Sequence, residues 1–413
     1  MSNWPRRRYR VRAAAGMMLA LGVAAGVAGP AQARPVLKLP PRSAAVSWGD
    51  NQHGQLGDGT TTARATYAGV TGLSNGVTQV SAGEDNSMAL TTGGILWTWG
   101  DAVELGTGST TDSTVPVQVP GLAGITQVSA GLGFDLALRS DGTVWGWGLN
   151  TFGELGDGNT DSVRTPVQVS GMTAVSQIAA GNGFALAVRS DGTVWGWGWN
   201  NHGQLGNGTT SDSDVPVQVT GLTNVIRIAA GDASALALRV QFRRIGSGFT
   251  AVRTAWTWGV NNAGQLGDGT DTGRATPELV SGINVPSITA IAVGGGDCMV
   301  LGSDGSVWGW GANFDGELGN GSDAAAFRPV KILDAAVTAI AVGQSHALVL
   351  LGNGNVLAWG SGYFGLGSSS LVPVIIPSLA GVTQISAGNN YSLAVHQVAA
   401  VSVPGGAPGT PQR

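Results

Sequence analysis

Cysteine occurs once in this 413-residue chain, at Cys298, which excludes an intrachain disulfide and any site built from several thiolates. Within Cys298-Met299-Val300-Leu301 it reads as a small buried hydrophobe. Charge is scarce as well, at 11% of residues, and there are only four histidines. No His-Glu-x-x-His, Gly-x-Ser-x-Gly or phosphate-loop motif occurs, so the common zinc, serine-nucleophile and nucleotide-hydrolysing centres have no sequence basis. His53, His202, His346 and His396 fall in different parts of the chain and read as exposed loop residues that share no metal. What the chain has in quantity is glycine, 68 residues, and tryptophan, 14. The glycine follows no Gly-X-Y period, which excludes collagen, and 43% hydrophobic residues are enough for a core. Short apolar runs punctuated by Gly, Asp and Asn predict an all-β protein.

The first 33 residues are of a different kind. Arg6, Arg7, Arg8, Arg10 and Arg12 precede an apolar stretch from Ala13 to Gly29, and Ala31-Gln32-Ala33 supplies small residues at a cleavage site. This is the pattern of a secretory signal, with an apolar run short for a spanning helix. Cleavage after Ala33 and a secreted or envelope location are therefore expected. Removal takes five of the 21 basic residues and none of the 25 acidic ones, leaving a balance of −9. A body that acidic has no general attraction to nucleic acid.

Internal repetition organises the remainder. Trp-Gly recurs at Trp48, Trp99, Trp147, Trp197, Trp258, Trp310 and Trp359, at intervals of 51, 48, 50, 61, 52 and 49 residues. Between these pairs, Gly83, Gly131, Gly181, Gly231, Gly294, Gly343 and Gly388 each precede a short apolar run. One repeat reads as four strands: 126–129, 134–139, 144–148 and 166–169, with Asp141-Gly142 as a hairpin turn. Five repeats carry Trp-x-Trp, whose members project to one face of a strand. Large aromatics stacked between sheets suit a radial architecture. The chain begins with a Trp-Gly half and ends with an Ala-Gly half, so the two ends together complete one blade. The expectation is a seven-bladed β-propeller of four-stranded antiparallel blades, its ring closed by a blade shared between the N- and C-terminal strands. It spans 44–397, after a linker at 34–43 and before a flexible Pro/Gly tail at 398–413.

The run Trp197-Gly198-Trp199-Asn200-Asn201-His202-Gly203-Gln204-Leu205-Gly206-Asn207-Gly208, repeated from Trp258 to Gly269, resembles the regulator of chromosome condensation repeat. With the Pro-Val-x-Val and Ala-Gly-x-x-x-x-Leu-Ala-Leu segments it covers nearly the whole mature chain. The resemblance implies the same propeller with a closing blade built from both termini. That family often has His at the fifth position of the Ala-Gly stretch, and only His346 fits. The others are Asn86, Phe134, Phe184, Ser234, Asp297 and Tyr391. Nucleotide exchange on a small GTPase, the role of the family's founding member, stays an alternative, as does enzyme inhibition by one propeller face. Both the export signal and the acidic body count against the first.

Function is expected to lie in binding a protein, without catalysis or cofactor, by a monomer that touches no membrane beyond export. Between Leu238 and Trp258 lie twenty positions, against nine from Leu138 to Trp147, so eleven extra residues replace one hairpin tip. This insertion holds Arg239, Phe242, Arg243, Arg244, Phe249 and Arg253, and arginine with aromatics is the composition of interface hot spots. A second candidate is the rim of residues preceding the loop glycine: His53, Phe152, His202, Ala263, Asp315 and Phe364. Asp157-Gly158-Asn159-Thr160-Asp161 has the opening of a calcium loop but lacks its glycine and distal glutamate, and reads as a polar turn.

Overall fold

A computed structural model of the chain describes residues 37–38, 42–245, 248–362, 369–398 and 402–403. Leu37–Lys38 and Ser402–Val403 form a small antiparallel pair in a unit of their own. Within the larger unit, 28 strands form seven four-stranded antiparallel sheets. Blade 3 shows the plan: Ile125–Ala130, Phe134–Arg139, Val144–Gly148 and Val163–Gln168, from the inside outwards. Its second and third strands are joined by a tight turn. Asp141 Oδ1 accepts from the Thr143 amide at 3.0 Å and the Thr143 hydroxyl at 2.6 Å, while Gly142 takes φ +80°. A short carboxylate bonding two residues ahead and a glycine free of the Cβ penalty are what such a hairpin needs. Among the described strands, proline occurs in the outermost one of a blade, as at Pro166, where a missing N–H costs no ladder bond.

The ring closes through blade 1, in which Val382–Ala387 and Tyr391–Val398 pair with Arg42–Gly49 and Arg64–Gly69. Ala45 lies opposite Val395 and Trp48 opposite Ser392, so residues from the two ends of the chain share one sheet. The remaining blades start at Val77 (blade 2), Val175 (4), Val225 (5), Ile288 (6) and Val337 (7).

Tryptophan and glycine together fasten each blade to the one before it. Trp48, Trp99, Trp147, Trp197, Trp258, Trp310 and Trp359 are fully buried. Six of their indole N–H groups donate to a carbonyl in the preceding blade's Gln/Glu-Leu-Gly loop, for example Trp197 to Glu154 at 2.7 Å and Trp258 to Gln204 at 2.7 Å. The loop must lie flat on the ring: Gly206 sits at φ +65°, and a Cβ there would come within 2.8 Å of the Trp258 Nε1. The first tryptophan of each Trp-x-Trp shares that face but lies farther out and is half-buried, capped in blade 4 by the Arg189 guanidinium 4.3 Å from the Trp195 ring.

A second set of fasteners surrounds the axis. Gln127 donates to Ile178 O at 2.9 Å and accepts from Ile178 N at 3.0 Å, and Ser129 accepts from Ala180 N at 2.9 Å. Gln79, Gln177 and Gln384 make the same paired bonds to the next inner strand. At one end of the channel, amides of Glu84, Leu132, Asn182, Asp232, Gln344 and Asn389 donate to glycine carbonyls of the neighbouring blade. A cavity of about 310 Å³ remains on the axis, lined by small residues together with Gln127, Gln177 and Gln344.

Candidate binding surface

The eleven-residue insertion is not a loop. Ser234–Ile245 and Gly248–Gly259 continue the second and third strands of blade 5 as one antiparallel ribbon, paired from Ser234–Gly259 through to Ile245–Gly248. Val240, Phe242, Phe249 and Val252 are β-formers, so the segment extends the hairpin rather than bulging from it. Side chains alternate along a strand. Phe242 pairs with Ala251 and Arg244 with Phe249, which places Phe242, Arg244, Phe249 and Ala251 on one face. Phe242 and Phe249 are each 73% exposed, among the most exposed apolar side chains of the described residues.

The arginines divide. Arg239 lies at the root of the ribbon over Trp256, 5.4 Å from the ring, the place Arg139 and Arg189 hold over Trp145 and Trp195. It therefore belongs to the repeat rather than to the free arm. Arg253 reaches back towards Ile288 O of blade 6 at 3.5 Å. Arg244 is exposed on the aromatic face, and the Arg243 side chain lies outside the described residues. The usable part of the arm is Phe242, Arg244 and Phe249.

The residues preceding the loop glycine come to equivalent places, since Gly54, Gly153, Gly203, Gly264 and Gly316 all take φ between +77° and +86°. Their neighbours differ. Phe152 and Trp199 have ring centroids 5.8 Å apart, and His202 stands edge-on to Trp199 at 5.5 Å, making an aromatic row across blades 3 and 4. Ala263 is buried, Asp315 is exposed, and Phe364 lies outside the described residues. The adjacent Phe314, 73% exposed, is an apolar rim residue that the motif spacing passes over.

Three histidines differ from the expected exposed loop residues: His396 is half-buried within the strand Tyr391–Val398, where the repeat continues past its apolar run. His346 is fully buried between blades 7 and 1, its Nε2 2.8 Å from Ser392 Oγ, and burial pushes its pKa down to about 4. The position explains it. Tyr391 bonds Ser87 and the Gly83 amide in the same way, and Asn86 donates to Asp135 at 2.6 Å. Phe134 and Phe184 instead pack on alanines, Ala185 and Ala235. His53 is half-buried, and Asp85, Asp101 and Asp112 of blade 2 surround it. Three carboxylates outweigh the desolvation that opposes protonation, so its pKa is raised.

Cys298 is fully buried, and desolvation holds its thiol far above the ordinary range. At the Asp157 turn, Asn159 donates to Asp157 at 2.8 Å, and Asn150 takes the carbonyls of Asn159 and Asp161 at 3.1 and 3.2 Å. Those oxygens serve the loop's own hydrogen bonds, as expected of a polar turn.

A closed ring of seven repeated blades, its loops on the rims and a ribbon raised from one blade, defines a β-propeller. The model of the regulator of chromosome condensation (RCC1) repeat matches residues 47–90, 93–138, 141–188, 191–238, 254–301 and 304–350, and the chain belongs to that family. Among curated relatives, the human E3 ubiquitin-protein ligase HERC2 is 32% identical over 83 residues, 20% of this chain and 2% of that protein. The RCC2 homolog of Danio rerio is 37% identical over 71 residues, 17% of this chain and 14% of that protein. The chain thus spans only a small part of the curated relatives it matches. Among solved structures, Prp20p of Saccharomyces cerevisiae superposes with a TM-score of 0.74 at 21% identity, over 88% of this chain and 94% of that one. Human WBSCR16 gives 0.73 at 20% identity, over 86% and 98%. At these identities the likeness concerns the fold.

Proposed function

We propose that this propeller is a non-catalytic protein-binding scaffold, exported from the cytoplasm, and that the blade 5 arm is its principal contact. The observation that carries the reading is the pair of phenylalanines, each 73% exposed, beside Arg244 on one face of a two-stranded ribbon. Exposed aromatics beside arginine are the residue types that dominate interface energetics, and two-stranded continuity with blade 5 holds them at little entropic cost. The mature chain is acidic overall, so a basic arm selects a partner surface of negative charge. Prp20p has been studied for binding to Gsp1p and histones, and protein partners therefore have precedent on this fold. Export rests on the basic start, apolar run and Ala31-Gln32-Ala33 site of the first 33 residues.

The test places a photoreactive amino acid at 242 in the full chain, with the same probe at Ile95 on blade 2 as a control, in the native host. The reading requires a discrete protein adduct from position 242 that position 95 does not give, on a chain whose mature N-terminus is Arg34. Adducts of equal yield from both positions, or none from 242, would remove the arm from the function. An intact Met1 on the bound chain would remove export.

A further inference from the structure

His53 stands on the blade 1 loop that reaches over blade 2, and its ring nitrogens meet carboxylates from three separate segments of that blade. Nδ1 is 3.0 Å from Asp112 Oδ2 and 3.5 Å from Asp101 Oδ2, and these three atoms lie within 4.8 Å of one another. Ligands about 2.0–2.1 Å from a tetrahedral metal are roughly 3.3 Å apart, so the spacing already approaches that of a coordination shell. The other oxygen of each carboxylate is fixed by a backbone amide: Ala102 N donates to Asp112 Oδ1 at 3.0 Å, and Val103 N to Asp101 Oδ1 at 2.7 Å. On the far side of the ring, Nε2 is 3.9 Å from Asp85 Oδ2, and Asp85 Oδ1 is held by Gln55 Nε2 at 3.2 Å. A carboxylate behind a ligating imidazole is the usual outer support of a metal-bound histidine.

The junction of blades 3 and 4 shows that three of these four places need no charge for structure, the place of Asp112 alone keeping an aspartate, Asp212. Between blades 3 and 4 the places of His53, Asp101 and Asp85 are taken by Phe152, Trp199 and Gly183, and the two aromatic rings stack. Aromatic contact suffices to hold that rim together. At the junction of blades 1 and 2, residues far apart in sequence are all ligand types, and no Lys or Arg pairs with the three carboxylates among the described residues. His53 and Asp112 remain about 40% exposed, which leaves the site open to solvent.

We propose that His53, Asp101 and Asp112 form a site for a divalent transition metal of the zinc type, with Asp85 orienting the imidazole. A nitrogen and two carboxylate oxygens suit such an ion better than calcium or magnesium, which take oxygen ligands. Bound there, the metal bridges the closing blade to blade 2 and stabilises the ring by binding the folded state alone.

The experiment titrates zinc chloride into the chelator-treated full chain by calorimetry and follows its thermal midpoint. One equivalent should bind, and a hundredfold excess over Kd should raise the midpoint by roughly 3 °C. His53→Ala and Asp112→Asn should each weaken binding tenfold or more, and Asp85→Asn by about tenfold. His202→Ala, at the equivalent rim place of blade 4, should bind as the wild type. Circular dichroism verifies that each variant is folded, and Asp101→Asn supplies a shape-conserving variant should His53→Ala not fold. No saturable binding, or binding undiminished in His53→Ala or Asp101→Asn, overturns the proposal and leaves His53 a hydrogen-bond partner of the aspartates.

Discussion

Buried His346 makes the closing junction sensitive to acid in a way that can be worked through. In the unfolded chain an imidazole titrates near its ordinary 6.5, whereas in the fold burial lowers it to about 4. Above 6.5 both states are neutral and the His346–Ser392 contact contributes in full. As the pH falls below 6.5 the unfolded chain takes up a proton that the folded protein refuses, so stability drops until the pH reaches about 4. The separation corresponds to about 3 kcal/mol, a large part of the stability of an ordinary domain. Buried carboxylates titrate in the opposite sense, so the readout must be a difference between two proteins. The comparison is His346→Phe with Ser392→Ala, which reproduces the Phe134–Ala185 and Phe184–Ala235 pairs found elsewhere in the ring. Urea unfolding of both proteins at pH 7.5, 6.5, 5.5 and 4.5 should show the double variant losing about 2.5 kcal/mol less than wild type over that range. Parallel stability curves for the two proteins would refute burial of a neutral imidazole between blades 7 and 1.

The inner and outer tryptophans should differ sharply. Trp197→Ala removes a fully buried ring and its 2.7 Å bond to Glu154 O, and should cost about 3–5 kcal/mol in urea unfolding. Trp195→Ala removes a half-buried ring under Arg189 and should cost about 1–2 kcal/mol, so the reverse order would contradict the packing scheme. Glu104 is buried with an unpartnered Oε1, and desolvation together with Asp135 holds its pKa well above the carboxylate range. The unfolded chain ionises first as the pH rises, so this group lowers stability at neutral pH and not in acid. Glu104→Gln, the residue at the equivalent Gln55, Gln204 and Gln265, should stabilise by about 1–3 kcal/mol at pH 7.5 and have little effect near pH 3.5. Equal effects at both values would exclude a charge-based cause.

Much of the ring was legible because its determinants are local. Asp141-Gly142 and Trp145-Gly146-Trp147 mark a turn and a strand within a few residues, and Phe134–Arg139 and Val144–Gly148 fall where their pattern places them. The outer strand, Val163–Gln168, begins three residues before Pro166, since an edge strand carries little hydrophobic alternation to mark its start. The arm was legible as extra length but not as ribbon. The alternation of Val240 and Phe242, with the β-formers Phe249 and Val252 following, was the signal that would have shown it. His346 was misplaced because its environment is set by Ser392, 46 residues away in the next blade, although Tyr391 and Phe134 at equivalent positions point to an inter-blade role. The His53 cluster was beyond reach for the same reason. Asp85, Asp101 and Asp112 converge only when blades 1 and 2 pack, and no spacing in the chain brings them together.

The central claim is that the ring is a frame and the blade 5 arm is what it presents. The most direct measurement takes the protein captured at position 242 and determines its affinity for the wild-type chain and for Phe242→Ser/Phe249→Ser. Losing two exposed aromatic anchors should weaken binding by about 3–4 kcal/mol, several hundredfold, with the thermal midpoint of the propeller unchanged. An affinity within threefold of wild type would contradict the account and return the binding surface to the rims.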